Sequence, residues 1–212
     1  WAGAAAVYGE AEMQRSYGQL VPVAAERVVE APDGHAVELA GRRLVCLDTP
    51  GHARHHNAIH DPASGCVFSG DTFGVSYREF DTAQGPFIVP ATSPSELDPP
   101  ALHRSIDRLV ALQPGAIYPT HFGRLEPVQR LAAQLHEQID AMVAIAVAAD
   151  CAARDARHAA LRAGLRQLYV GRALRHGWSG GEDEAARLLT IDIELNAQGL
   201  GVWLDRRGQR PS

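Results

Sequence analysis

Three residues able to bind a metal ion stand at matching places in this 212-residue chain. His52 follows "LVCLDTPG", Asp71 follows "CVFSG" and His121 follows "AIYPT". Each lies just past a short apolar run, inside a turn that contains glycine. Strand ends on one edge of a sheet converge in space, and a neighbouring glycine lets backbone approach closely. Two imidazoles and a carboxylate form a mixed nitrogen and oxygen set, suited to zinc and tolerated by iron or manganese. Each residue has a plainer use as well. A histidine after a strand can be a hydrogen-bonded structural group, and Asp71 in "SGDTF" can cap the turn it opens. It is the joint pattern at three separate strand ends that points to a metal site.

His52 also heads a crowded stretch, since residues 47–61 hold four of the ten histidines. The pattern reads His55, His56 and His60 onto one strand following His52. Side chains alternate along a strand, so His56 and His60 share a face, His55 takes the other, and the three cannot serve one ion.

The elements that must position these groups follow from turn chemistry and periodicity. Residues 1–17 are predicted as a helix stopped by Gly18. From Arg27 to Phe68 short apolar runs ("RVVEA", "HAVEL", "RRLVCLD", "GCVFSGD") read as strands, separated by Pro32-Asp33-Gly34, Ala40-Gly41 and residues 61–65. Residues 74–100 contain five prolines and read as a long loop. Asp98 caps a helix running to Leu112, with Pro99 and Pro100 in its first turn. A buried strand is predicted at residues 116–118, a helix from Leu125 onward, and a second from Ala152 to His176, closed by Gly177. The stretch after Leu188 fits both strand and helix periods, and the reading leans to helix.

Bulk properties narrow the partner. The net charge is −5, the pI is near 6.0 and the arginines are scattered, so no footprint for nucleic acid or an anionic membrane is present. A small-molecule substrate is expected, and a homodimer is allowed. Cys46, Cys66 and Cys151 form no CxxC spacing, which speaks against a disulfide framework and a thiolate zinc knuckle and fits a cytoplasmic protein. The longest apolar run, residues 141–149, is far short of the roughly 20 residues that cross a bilayer. No GxSxG elbow, phosphate loop or dinucleotide GxGxxG occurs.

The segments "TPGH" (residues 49–52), "FSGDTF" (68–73) and "PTHFG" (119–123), in this order, resemble the later metal-binding motifs of the metallo-β-lactamase-fold hydrolases. The resemblance spans roughly residues 21–149. It implies a mixed α/β, four-layered αββα sandwich, here incomplete at its N-terminus, with residues 1–149 in that domain and 150–212 as a helical extension. It further implies that His52 binds a first zinc, His121 a second, and Asp71 bridges both as the catalytic carboxylate. A metal-bridging hydroxide would then attack an ester, thioester, lactone or amide. His56 matches a position that orients such ligands, and Tyr118 and Phe87 are candidates beside the substrate. The family's HxHxDH segment is absent from this sequence, so the resemblance implies that activity needs such a segment and that these residues are the C-terminal two thirds of a longer protein. The competing reading is a degenerate, metal-free domain that binds a ligand or partner.

Overall fold

The computed structural model describes Trp1, Ala5 and residues 9–150 and 153–208, in two compact units, residues 1–31 and 32–212. The first unit contains helix α1 (Glu10–Tyr17), ended by Gly18 at a φ of 64°, and a 3₁₀ turn at Ala25–Arg27. The helix expected over residues 1–17 is seen in this shorter span, residues 2–4 and 6–8 lying outside the described ones. The strand expected at "RVVEA" is not formed. Val28 and Val29 are exposed and enter no ladder, so their β-propensity has no partner to realise it.

The second unit is built on one five-stranded sheet in chain order: β1 (Ala36–Leu39), β2 (Arg42–Asp48), β3 (Asn57–Asp61), β4 (Cys66–Gly70) and β5 (Ala116–Pro119). β1 to β4 form an antiparallel meander, and β5 lies parallel to β4. Ala40 and Gly41 both take positive φ, the turn that matches the twist of a tight hairpin. A parallel pair cannot be joined by a hairpin, so the whole segment between β4 and β5 is a crossover.

That crossover holds the loop after Asp71 and helix α2 (Pro99–Ala111). Asp98 caps α2 by accepting from the Ala101 N–H at 3.0 Å, and Leu102, Ile106 and Leu109 bury its inner face. Helix α3 (Val128–Ala149) lies beside it, starting later than Leu125 because Leu125 instead pairs its backbone with Ile117 of β5. Both helices join one core with Leu47, Ala58, Val67 and Ile117, one face of the sheet. The opposite face carries Cys46, Ile59, Phe68 and Tyr118 side by side across four strands.

Where α2 meets α3, His103 and His136 sit edge to edge. Their planes differ by 8°, their centroids are 4.9 Å apart and their Nδ1 atoms 2.6 Å apart, a distance at which one ring nitrogen donates its proton to the other. Each Nε2 faces the other helix's aspartate: His103 to Asp140 at 3.2 Å, His136 to Asp107 at 3.0 Å.

Helices α4 (Arg154–Arg175), α5 (Gly181–Leu188) and α6 (Thr190–Gly208) pack beyond α3. The ambiguous C-terminal stretch is therefore helix. No described helix is long and apolar enough to cross a membrane.

Candidate metal centre

The turn after β2 is held against α2 before any ligand is placed. Gly51 packs so closely that a Cβ there would stand 2.3 Å from the Leu102 backbone, and Ser105 Oγ donates to the Pro50 carbonyl at 2.6 Å. Ser93 N–H donates to the His52 carbonyl at 3.2 Å. On this platform His52 Nδ1 donates to the Ala91 carbonyl at 3.0 Å, so in the neutral ring Nε2 is the nitrogen with the free lone pair. That Nε2 stands 3.7 Å from Asp71 Oδ2. A backbone carbonyl behind a histidine with its second nitrogen facing a carboxylate is how metal-binding imidazoles are oriented.

Ala91 is itself fixed by α6. The buried Asn196 accepts from Thr92 N–H at 2.9 Å and Thr92 Oγ1 at 2.8 Å, and donates to the Pro90 carbonyl at 2.9 Å and Tyr169 Oη at 2.7 Å. All of its amide capacity is used, and the residues on both sides of Ala91 are locked.

His56 joins the two ligand turns. Its Nε2 accepts from the Asp71 N–H at 3.0 Å, so the proton is on Nδ1, 2.9 Å from Thr49 Oγ1 and 3.0 Å from Thr72 Oγ1. Thr72 Oγ1 donates to the Thr49 carbonyl at 3.1 Å and is free to accept. Burial, helped by the neighbouring His52, pushes the His56 pKa down from 6.5 to about 4. Gly70 makes room for the ring: its φ is 53° and a Cβ would lie 2.6 Å from His56 Nε2.

His56 is thus not on the strand, as its spacing from His60 suggests. β3 starts at Asn57, and His56 N–H closes the turn onto the Ala53 carbonyl at 3.4 Å. Alternation is a rule for residues already in a ladder, and a turn breaks it. His55 points elsewhere, 3.5 Å from Glu96, while His60 lies in the row of Val45 and Val67.

His121 follows β5, and Thr120 N–H donates to the Gly70 carbonyl at 3.3 Å, so the two strand ends abut. Its ring is exposed, 6.0 Å from Phe122, which packs at 4.7 Å on Tyr77. Tyr77 donates to Asp192 of α6 at 2.7 Å. Burial holds the Asp192 carboxyl above the usual range, the Tyr77 bond and the nearby His121 offsetting part of the rise. Asp192 and Asn196 carry no sequence signal, because their relevance exists only once α6 folds over the crossover.

Two candidate substrate neighbours lie away from the pair. Phe87 is buried between Phe80 and His176, at centroid distances of 5.1 and 5.5 Å, so it packs the loop rather than lining the centre. Tyr118 stacks on Phe68 at 5.4 Å on the face of the sheet opposite the helices.

A nitrogen and a carboxylate oxygen at the His52–Asp71 spacing suit two corners of one ion with bonds of about 2.1 Å. Among the described residues no three His, Cys, Asp or Glu side chains are arranged to hold a metal ion, so His121 does not complete a set. The fit is that of half a site.

No family model matches the chain. A 102-residue stretch is 28% identical to the metallo-beta-lactamase fold-containing protein ST1585 of Sulfurisphaera tokodaii, covering 48% of this chain and 35% of that protein. A 69-residue stretch is 42% identical to a hydroxyacylglutathione hydrolase of a Synechococcus species, covering 32% of this chain and 24% of that enzyme. The chain thus matches about a third or less of these curated relatives. The crystal structure of ST1585 superposes over 94% of this chain and 61% of its own, with a TM-score of 0.56 at 23% identity.

Proposed function

With the metallo-β-lactamase fold as premise, we propose that this chain carries one side of a metal-dependent hydrolase centre acting on a small-molecule ester, thioester, lactone or amide. The His52–Asp71 pair is the observation that carries the reading, since an imidazole tautomer fixed by Ala91 and aimed at a carboxylate is costly to build for structure alone. In this reading His52 and Asp71 would hold zinc, with iron or manganese as substitutes, and Asp71 and His121 would serve a second ion. A metal held there would supply Lewis acidity toward a substrate carbonyl and toward water. His52 is kept in the ligating tautomer by Ala91, and Asp71 is kept in place by His56. The match to a hydroxyacylglutathione hydrolase, a thioester hydrolase, favours thioesters within the class.

Zinc titration tests the assignment. The 212-residue chain is expected to bind zinc weakly, below one equivalent, with His52→Ala and Asp71→Ala each lowering affinity about tenfold or more. Joined to an HxHxDH-bearing segment it is expected to hydrolyse acyl thioesters, aryl esters or lactones in a zinc-dependent way. Turnover by the chain alone, or zinc affinity indifferent to both substitutions, overturns the reading. No zinc affinity at all favours a metal-free binding module.

A further inference from the structure

We propose that the cleft between the His52 turn, residues 93–101 and the end of α6 binds the anionic end of a small molecule, a carboxylate or a phosphate. Arg54, Arg206 and Arg207 line it together with Trp203, and Pro50 and Gly51 form part of its wall. Three guanidiniums in one cleft offer planar forks of donors that match the paired oxygens of either anion.

What distinguishes this cleft is the state of its charges. Arg206 donates only to the Ser95 carbonyl, Arg207 lies over the Trp203 ring at 4.8 Å, and none of the three guanidiniums pairs with a carboxylate among the described residues. The two acids in the wall are already engaged: Glu96 accepts from the Arg54 backbone N–H at 3.2 Å and faces His55 at 3.5 Å, while Asp98 caps α2. Asp205, next in sequence to Arg206, is taken by Arg157 at 2.5 Å. A second cleft, between α4, α5 and α6, also has three arginines, but there Arg162, Arg166 and Arg187 meet Glu194, Asp183 and Glu184 at 2.9, 3.5 and 2.6 Å. One arginine triad is ion-paired within the fold; the other, among the described residues, keeps three guanidiniums free of ion pairs against two wall carboxylates, which leaves the cleft net positive.

Size limits what can enter. The cleft encloses about 160 Å³, well under the roughly 300 Å³ at which pockets begin to hold whole drug-sized ligands. It fits one charged group and a few attached carbons, with the Trp203 ring as an apolar side. Arg54 lies two residues beyond His52 on the same turn, so a ligand anchored here extends along the turn that carries the candidate centre.

Binding requires no metal, so its test is separate from that of the hydrolase reading. Glutarate and inorganic phosphate are titrated at low salt while the Trp203 indole N–H is followed by NMR, the signal being assigned with Trp203→Phe. Saturable binding is expected, weakened tenfold or more in Arg54→Ala/Arg206→Ala and by added sodium chloride, and unchanged in Arg166→Ala of the compensated cleft. Saturation by glutarate alone identifies a carboxylate site, by phosphate alone a phosphate site, and by both a site for the shared anionic chemistry. No binding of either probe, or equal binding by a double variant whose melting temperature matches the parent, overturns the proposal.

Discussion

His56 does its work uncharged. Its Nε2 must accept the Asp71 N–H, and protonating that nitrogen breaks the bond between the two ligand turns. The folded pKa of about 4 lies below the ordinary 6.5, so the unfolded chain binds this proton more readily. Above pH 6.5 the stabilisation is complete, between 6.5 and 4 it is lost as pH falls, and below 4 the loss is full. Allowing for the part of the ring that solvent reaches, the loss is about 1–2 kcal/mol in urea unfolding across this window. His56→Ala is expected to remove that pH dependence. It should also cost about 1–3 kcal/mol at pH 7.5, because the Asp71 N–H and a threonine hydroxyl lose their partner in the interior.

Between elements, α2 and α3 are joined by a polar seam. Each helix contributes a histidine and, four residues on, an aspartate, and the four groups cross-connect. The two rings act as one unit, so His103→Ala, His136→Ala and the double variant are expected to destabilise by similar amounts. A double-mutant cycle should return a coupling of about 1–2 kcal/mol, and additive effects would show that neither ring donates to the other. At this scale the sequence was readable where local chemistry decides. The Ala40-Gly41 turn, the Asp98 cap and the glycines beside His52 and Asp71 mark their elements without tertiary help. It was unreadable where partners decide. Val28 and Val29 look like a strand but find no ladder, and Leu125 looks helical but pairs with Ile117. The rings of His103 and His136, 33 residues apart, carry no sign of meeting.

Across the whole second unit, the C-terminal helix reaches the candidate centre through the Pro90 to Thr92 segment. Asn196→Ala would strand the Thr92 N–H and the Pro90 carbonyl in the interior, at a cost of about 3 kcal/mol in thermal or urea unfolding. It would also loosen the Ala91 carbonyl behind His52, and zinc affinity is expected to fall about tenfold although Asn196 touches no ligand. Unchanged affinity in a folded Asn196→Ala protein would show that Ala91 is held without α6. His52, Asp71 and His121 could be marked from the chain alone, whereas Asn196 and the Arg54, Arg206 and Arg207 cleft could not. Their significance rests on contacts across some 100 residues or more, as between Ser95 and Arg206.

The strand order also sets a sequence in time. His52 and Asp71 belong to a meander closed by short loops, and their turns are 19 residues apart, whereas β5 reaches β4 only after a crossover of 45 residues. Short loops close first and long ones later, because closure entropy grows with length. The His52–Asp71 corner should therefore assemble before the His121 corner and outlast it during partial unfolding. In native-state hydrogen exchange, the Asp71 amide held by His56 is expected to open with a higher free energy than the Thr120 amide held by Gly70. The centre would then come apart along the junction of β4 and β5, leaving the histidine and the aspartate face to face.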